Sequence, residues 1–334
     1  MAKRRLTDQQ RRRIREQIEK RQQQLERRTR RHLADIESGM LNTEQEGLVI
    51  THYGHSLAIE DRHGELHHCV ARQNIGTPVC GDRVVWQSAD NNEGVITAIL
   101  PRKSLLKRPG FADQLKPVAA NITLICIVFA PRPEPQEELI DRYLVATEYL
   151  GIQPLLLINK SDLLSRQKLD EWKQRFSIYE KIGYEVHFAS TKQADGFKTL
   201  IKRLRNNTSI LVGQSGVGKS SLVNVLLPDQ AIKTQSLSKL NTLGQHTTSN
   251  STLYHLPGNI GNLIDSPGVR DFRLGHLERE DIEQGFIEFR PFLGKCRFSD
   301  CKHQSEPGCA IKAAVEEGLI SARRLDHYFD LVSH

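Results

Sequence analysis

Gly213-Gln214-Ser215-Gly216-Val217-Gly218-Lys219-Ser220 is the stretch whose reading decides the fold. It follows the apolar run Ser209-Ile210-Leu211-Val212 and precedes Ser221-Leu222-Val223-Asn224-Val225-Leu226-Leu227, which has the texture of a helix. A strand, a glycine-rich loop and a helix in that order are the context of a phosphate-binding P-loop. The glycines let the backbone curl until successive N–H groups point inward, and the helix N-terminus adds partial positive charge. Lys219 is then expected to reach the β- and γ-phosphates, and the Ser220 hydroxyl to ligate Mg²⁺. The expected phosphate cradle is Gly213, Gln214, Ser215, Gly216, Val217, Gly218, Lys219, Ser220 and Ser221.

Upstream of this loop, apolar and amphipathic runs alternate. Asn121 to Phe129 is nearly continuous in apolar residues, as buried parallel strands are. A helix is expected over 137–150, a strand over 154–158, a helix over 168–182, a strand over 184–189 and a helix over 196–205. Alternation of this kind predicts a doubly wound α/β sheet.

Strand 154–158 runs into Asn159-Lys160-Ser161-Asp162, an N-K-x-D pattern. A carboxylate at Asp162 can accept from guanine N1–H and its 2-amino group, a pair of donors that adenine lacks. Lys160 packs its stem along the base in this reading, and Asn159 ties the loops together. Ser190, in Ala189-Ser190-Thr191-Lys192 at the end of the next strand, matches a base-supporting loop. Beyond the P-loop, Asn262-Leu263-Ile264 leads into Asp265-Ser266-Pro267-Gly268, a D-x-x-G pattern. Asp265 is expected to hold Mg²⁺ through water, and the Gly268 N–H to sense the γ-phosphate. In Gly244-Gln245-His246-Thr247-Thr248-Ser249, either Thr247 or Thr248 can complete the Mg²⁺ shell and close a switch loop. These signals lie at the carboxyl ends of strands, where open α/β sheets bind ligands.

The order of the motifs is permuted. GTPases ordinarily run P-loop, switch threonine, D-x-x-G and N-K-x-D, whereas here N-K-x-D comes first and D-x-x-G last. The permutation joins the D-x-x-G switch directly to the C-terminal segment. An ATP-using P-loop enzyme is the competing reading, and Asn159 to Asp162 argues against it.

The C-terminal segment carries Cys296, Cys301, His303 and Cys309 in a C-x4-C-x-H-x5-C pattern, a ligand set for one tetrahedral structural Zn²⁺. Helices are expected over 310–317 and 321–331. Residues 43–100 read as about five short strands separated by turn signals, the size and spacing of an OB-fold barrel, which commonly binds oligonucleotides. Pro101 to Gly110 reads as a basic linker. The expected domains are therefore a basic arm at 1–40, an OB-fold at 41–100, a permuted GTPase domain at 101–276 and a helical zinc-binding domain at 277–334.

Charge is concentrated on the arm. The chain has 47 Lys+Arg and 40 Asp+Glu, and residues 1–40 hold 13 and 6 of them, leaving 34 of each elsewhere. Taken alone, the arm reads either as a solvated tail or as a phosphate-binding segment. No apolar run approaches the roughly 20 residues that span a bilayer, and the charged N-terminus lacks the apolar stretch of a signal peptide. A cytoplasmic monomer with no membrane partner is expected. Six cysteines in 334 residues do not form a disulfide scaffold.

A β-barrel, a permuted GTPase and a C-x4-C-x-H-x5-C segment together resemble the RsgA (YjeQ) family of small ribosomal subunit biogenesis GTPases over about residues 40–334. The resemblance implies GTP hydrolysis to GDP and phosphate, stimulated by the small ribosomal subunit late in its maturation. It also implies contacts from the OB-fold and zinc domains to ribosomal RNA. Where many GTPases place a water-orienting Gln after D-x-x-G, this chain has Val269. His246 is the candidate catalytic group, and the family's switch loop has His at the matching place; Arg270 is a rival as a charge stabiliser. A nucleotide-gated RNA-binding module with incidental hydrolysis is the alternative function.

Overall fold

A computed structural model describes residues 41–53, 56–89, 92–109, 115–192, 194–228, 251–266 and 277–333, with Arg27, Leu33, Ala34, Ile36 and Glu37 of the arm. The chain divides into two compact units, one of Met1–Pro101 with Thr234–His246 and one of Arg102–Lys233 with Thr247–His334.

In the first unit, β1 (Glu44–Tyr53), β2 (Ser56–Glu60), β3 (Leu66–Ala71), β4 (Arg83–Ser88) and β5 (Glu93–Ile99) pair in the order β1-β2-β3-β5-β4. A β1–β4 pairing closes the circle, and β3 and β5 run parallel. This is the five-stranded OB-like barrel expected from the turn spacing. Its core is Val49, Leu57, Ile59, Cys69, Val84, Trp86 and Ile96. Trp86 fits because a side chain is missing on both flanks: a Cβ on Gly47 would lie 2.7 Å from its Nε1, and one on Gly94 2.7 Å from its Cε3. The end of the arm is not solvated throughout. Ile36 is buried beside Val70 and Val95, and Glu37 accepts from Arg72 Nε at 3.0 Å.

The second unit opens with a hairpin where the sequence reads as a basic linker. Strand β6 (Leu105–Pro109) pairs antiparallel with β7 (Leu115–Ala120). The charges of Lys107 and Arg108 obscure the pattern, but Leu106, Ala119 and Ala120 are buried and anchor the pair.

The sheet that follows has β8 (Leu124–Phe129), β9 (Gln153–Ile158), β10 (Glu185–Phe188), β11 (Thr208–Val212), β12 (Thr252–His255) and β13 (Asn262–Asp265) in the order β10-β9-β8-β11-β13-β12. All are parallel except β12, which returns antiparallel to β13. Every residue of β8 is buried, as a strand covered on both faces requires. The helices α1 (Glu137–Tyr149), α2 (Arg166–Lys181), α3 (Ala194–Leu204) and α4 (Lys219–Leu226) alternate with the strands as the periodicity predicts.

The C-terminal segment adds α5 (Arg279–Gly285), α6 (Ala310–Glu316) and α7 (Ala322–Val332). Its core of Ile282, Phe286, Phe289, Ile311, Tyr328 and Leu331 also takes in Val145 and Ala146 of α1. Ions weld the same contact. Asp141 of α1 is fully buried and accepts from Arg324 Nη1 at 2.5 Å and Tyr179 OH at 2.9 Å, with His327 Nδ1 at 2.5 Å. Glu288 grips the other edge of the Arg324 guanidinium at 2.6 and 3.0 Å. Burial opposes the Arg324 charge, but Asp141 and Glu288 outweigh it and hold the group protonated. Among the described residues no helix is long and apolar enough to cross a membrane, and all six cysteines are unbridged.

Removing one partner of a buried pair strands the other charge. Arg324→Met is expected to lower unfolding free energy by about 3–5 kcal/mol, read from urea titration. A shift in the denaturation midpoint no larger than that of an exposed substitution would show that water already reaches the pair.

Candidate functional site

The P-loop leaves β11 at Val212 and enters α4 at Lys219. Its turn depends on glycine at two points. Gly213 has φ +135° and a Cβ there would run into the Val128 carbonyl oxygen, while Gly218 has φ +94° and a Cβ there would collide with Asn159 Nδ2. The space a side chain would fill at Gly218 is therefore used by the neighbouring loop. Lys219 folds back over the loop, its Nζ donating to the carbonyls of Gly213 and Gln214 at 2.6 Å each. The lysine thus holds the loop curled with its charge above it.

The Asn159–Asp162 loop is bonded to the P-loop side on. Asn159 is buried and its Nδ2 donates to Val217 O at 2.9 Å. Lys160 takes a left-handed φ of 58° and sends Nζ to Gly216 O at 2.6 Å and to Arg132 O at 3.3 Å. Ser161 closes onto the strand-end of β10, with N and Oγ both donating to Ala189 O at 3.1 and 3.0 Å. Asn159 Oδ1 and Gln214 Oε1 are buried with no hydrogen-bond partner among the described residues.

Asp162 is met by both groups of the next loop. Ser190 Oγ donates to Asp162 Oδ1 at 2.6 Å, and Lys192 Nζ lies 3.2 Å from Oδ2. The Ser190 hydrogen bond, with help from Lys192 and against burial, lowers the carboxyl below its ordinary value. Asp162 is thus a carboxylate at any pH near neutral, an acceptor for two donors. Ser190 is an expected member of this group and Lys192 is not. Its signal lay in the same four-residue run, two positions past Ser190. Asp265 ends β13 beside β11, with Ile210 opposite Ile264, and so stands at the same edge of the sheet as the P-loop. His246, Thr247, Thr248 and Gly268 lie outside the described residues, as do Val269 and Arg270.

The four C-terminal donors converge. His303 Nδ1 lies 3.6 Å from the sulfurs of Cys296 and Cys301 and 3.3 Å from that of Cys309, and Cys296 and Cys309 sulfurs are 4.0 Å apart. A tetrahedral ion with bonds of about 2.3 Å to sulfur and about 2.0 Å to nitrogen has edges of about 3.8 Å between sulfurs and about 3.5 Å from sulfur to nitrogen. The donors fit such an ion, and these residues could hold a metal. Sequence reasoning missed the support behind them. Glu283 Oε1 stands 3.5 Å from His303 Nε2, the nitrogen that faces away from the sulfurs, and accepts from Arg279 Nε at 3.0 Å and Tyr328 OH at 2.6 Å. Burial pushes Glu283 up, but bonds to His303, Tyr328 and Arg279 outweigh it and hold the group at about 2. An outer carboxylate of this kind fixes the ring and its tautomer.

The RsgA GTPase family pattern matches residues 99–275. The chain belongs to the RsgA GTPase family. The small ribosomal subunit biogenesis GTPase RsgA of Ectopseudomonas mendocina is 49 % identical over 332 residues, covering 98 % of this chain and 96 % of that protein. The protein of the same name from Pseudomonas putida is 47 % identical, covering 100 % and 98 %. The solved structure of YjeQ from Thermotoga maritima superposes with a TM-score of 0.71 at 29 % identity, over 87 % of this chain and all of that one. YloQ, described as a circularly permuted GTPase, gives 0.70 at 30 % identity over 87 % and 95 %. This RsgA-family chain is accordingly a GTP-hydrolysing enzyme with a circularly permuted domain, in agreement with the motif order read from its sequence.

The convergence of four donors predicts a loss on removing one. Cys301→Ala should release about one metal ion per chain and loosen the C-terminal segment. Elemental analysis with hydrogen exchange over 277–333 reads both, and a wild-type chain purified without metal would overturn it.

Proposed function

We propose that this GTPase binds the small ribosomal subunit in the cytoplasm and couples GTP hydrolysis to a late step of its maturation. The observation that carries the guanine reading is Asp162, an ionised carboxylate set by Ser190 in a loop that Asn159 and Lys160 fasten to the P-loop. Guanine offers two donors to that carboxylate. Asn159, Lys160, Ser161, Asp162 and Ser190 hold the base, and residues 213–221 hold the phosphates. Ser220 and Asp265, with Thr247 or Thr248, would hold Mg²⁺, which neutralises phosphate charge when bound. Gly268 senses the γ-phosphate. The metal of the C-terminal site is a structural Zn²⁺: three thiolates and an imidazole favour it, and they leave no open position for chemistry. The names of the relatives support the small subunit as partner, and the OB-like barrel and metal segment are the surfaces suited to ribosomal RNA. The protein acts as a monomer.

Asp162→Asn replaces an acceptor by an amide donor, which suits the 2-oxo group of xanthine. The variant is expected to turn nucleotide preference from GTP toward XTP in competition binding. Undiminished preference for GTP would mean that another group reads the base.

His246 is assigned the positioning of the attacking water, because Val269 cannot hydrogen-bond it. The free enzyme should turn over slowly and purified small subunits should accelerate it. His246→Ala should keep near-normal GTP affinity and lose roughly ten-fold or more of the stimulated rate. Full stimulated turnover in the variant would move the assignment to Arg270 or to a group supplied by the ribosome.

A further inference from the structure

A second line of charge joins the C-terminal helix to the nucleotide loops, separate from the buried Asp141–Arg324 weld. Arg323 of α7 places Nη1 2.7 Å from Glu137 Oε2, an ion-pair contact at the first residue of α1. The other oxygen of Glu137 accepts from Arg175 Nε of α2 at 2.7 Å, and Arg175 Nη1 reaches Glu134 Oε1 at 2.7 Å. The Arg175 guanidinium is itself held over the rings of Trp172 and Phe176, each 5.5 Å away. The line therefore runs Arg323, Glu137, Arg175, Glu134, with charges alternating at every step.

It ends on a loop with a job. Residues 131–135 connect β8 to α1 and carry Pro131, Pro133 and Pro135, so their φ angles are largely fixed and the loop shifts as a stiff piece. Arg132 O accepts from Lys160 Nζ, and a Cβ on Gly216 of the P-loop would lie 3.6 Å from Pro133 Cδ. The same loop thus backs the lysine of the base-binding motif and Gly216 of the phosphate cradle.

We propose that Arg323 is a positioning residue for nucleotide binding: through Glu137, Arg175 and Glu134 it holds the 131–135 loop, and with it Lys160, in the geometry that receives a guanine nucleotide. The inference rests on the reading of Asn159 to Asp162 as the guanine site. It makes the metal-bearing segment a brace for the base loop. Stability alone does not account for the arrangement. The Arg323 side chain is 42 % exposed and that of Glu134 69 %, and the buried Glu137 keeps Arg175 as its partner when Arg323 is removed, so cutting either outer end of the line costs little folding energy. A change in nucleotide affinity is expected of them only if the loop they hold positions the site.

The test uses the full-length, metal-loaded chain and a fluorescent GDP analogue. Arg323→Gln should weaken binding roughly five-fold with an unchanged urea midpoint and metal content, and Arg323→Lys, which keeps the charge, should restore most of it. Glu134→Gln should cost a similar factor. The double variant R323Q/E134Q should be no weaker than either single variant, because both cut one line. Wild-type affinity in R323Q, or losses that multiply in the double variant, would overturn the brace while leaving the guanine site intact. An Asp162→Asn chain that keeps its GTP preference would instead overturn the site reading on which the brace rests.

Discussion

The bond from Asn159 Nδ2 to Val217 O is the constraint on which the nucleotide site depends. It ties the end of β9 to the curl of the P-loop, across two loops that lie far apart in sequence. It also explains a glycine. Any side chain at position 218 would occupy the volume of the Asn159 amide, so Gly218 is required by its neighbour as well as by its own φ. Lys160 repeats the tie one residue further along, onto Gly216. The P-loop and the Asn159–Asp162 loop are consequently tied into one piece, with their groups held at fixed separation.

Circular permutation changes what this piece is connected to. The Asn159–Asp162 loop lies upstream of the P-loop, and the D-x-x-G strand β13 leads into the C-terminal segment. A domain cut open in this way has new ends, and ends fray unless something anchors them. The C-terminal segment supplies an anchor through packing on Val145 and Ala146 and through the buried Asp141 cluster. The metal ligands sit in the same core, since Cys309 is buried among Ile311, Phe286 and Tyr328. Metal donors, helix packing and the nucleotide-binding body therefore share one folded unit, in which loosening of the first is felt by the others.

Charge divides between these roles in a consistent way. The arm carries the excess of Lys and Arg, suited to phosphates of a large polyanion. Inside the second unit several arginines are paired instead. Arg324, Arg175 and Arg279 each face a carboxylate within hydrogen-bond distance, and each stacks on an aromatic ring. A basic isoelectric point thus belongs to the terminus rather than to the body, and the two populations of arginine do different work.

The sequence by itself determined the parts whose signal is local. Strand, glycine loop and helix follow from a run of consecutive residues around Gly213, the metal donors from the spacing of Cys296, Cys301, His303 and Cys309, and the permutation from the order of short motifs. The resemblance carried by those motifs named the family. What only the tertiary structure decided is where long-range partners lie. Nothing in the sequence pairs Asp141 with Arg324, or Glu283 with His303, because each pair joins residues on different elements whose neighbours give no hint of the other. The hairpin at Leu105–Pro109 escaped for a related reason: its strand is stabilised by a partner strand and buried Ala119 and Ala120, while its own residues advertise charge. Local chemistry is written along the chain, whereas burial and pairing come from which surfaces fold against each other, and that depends on the whole chain at once.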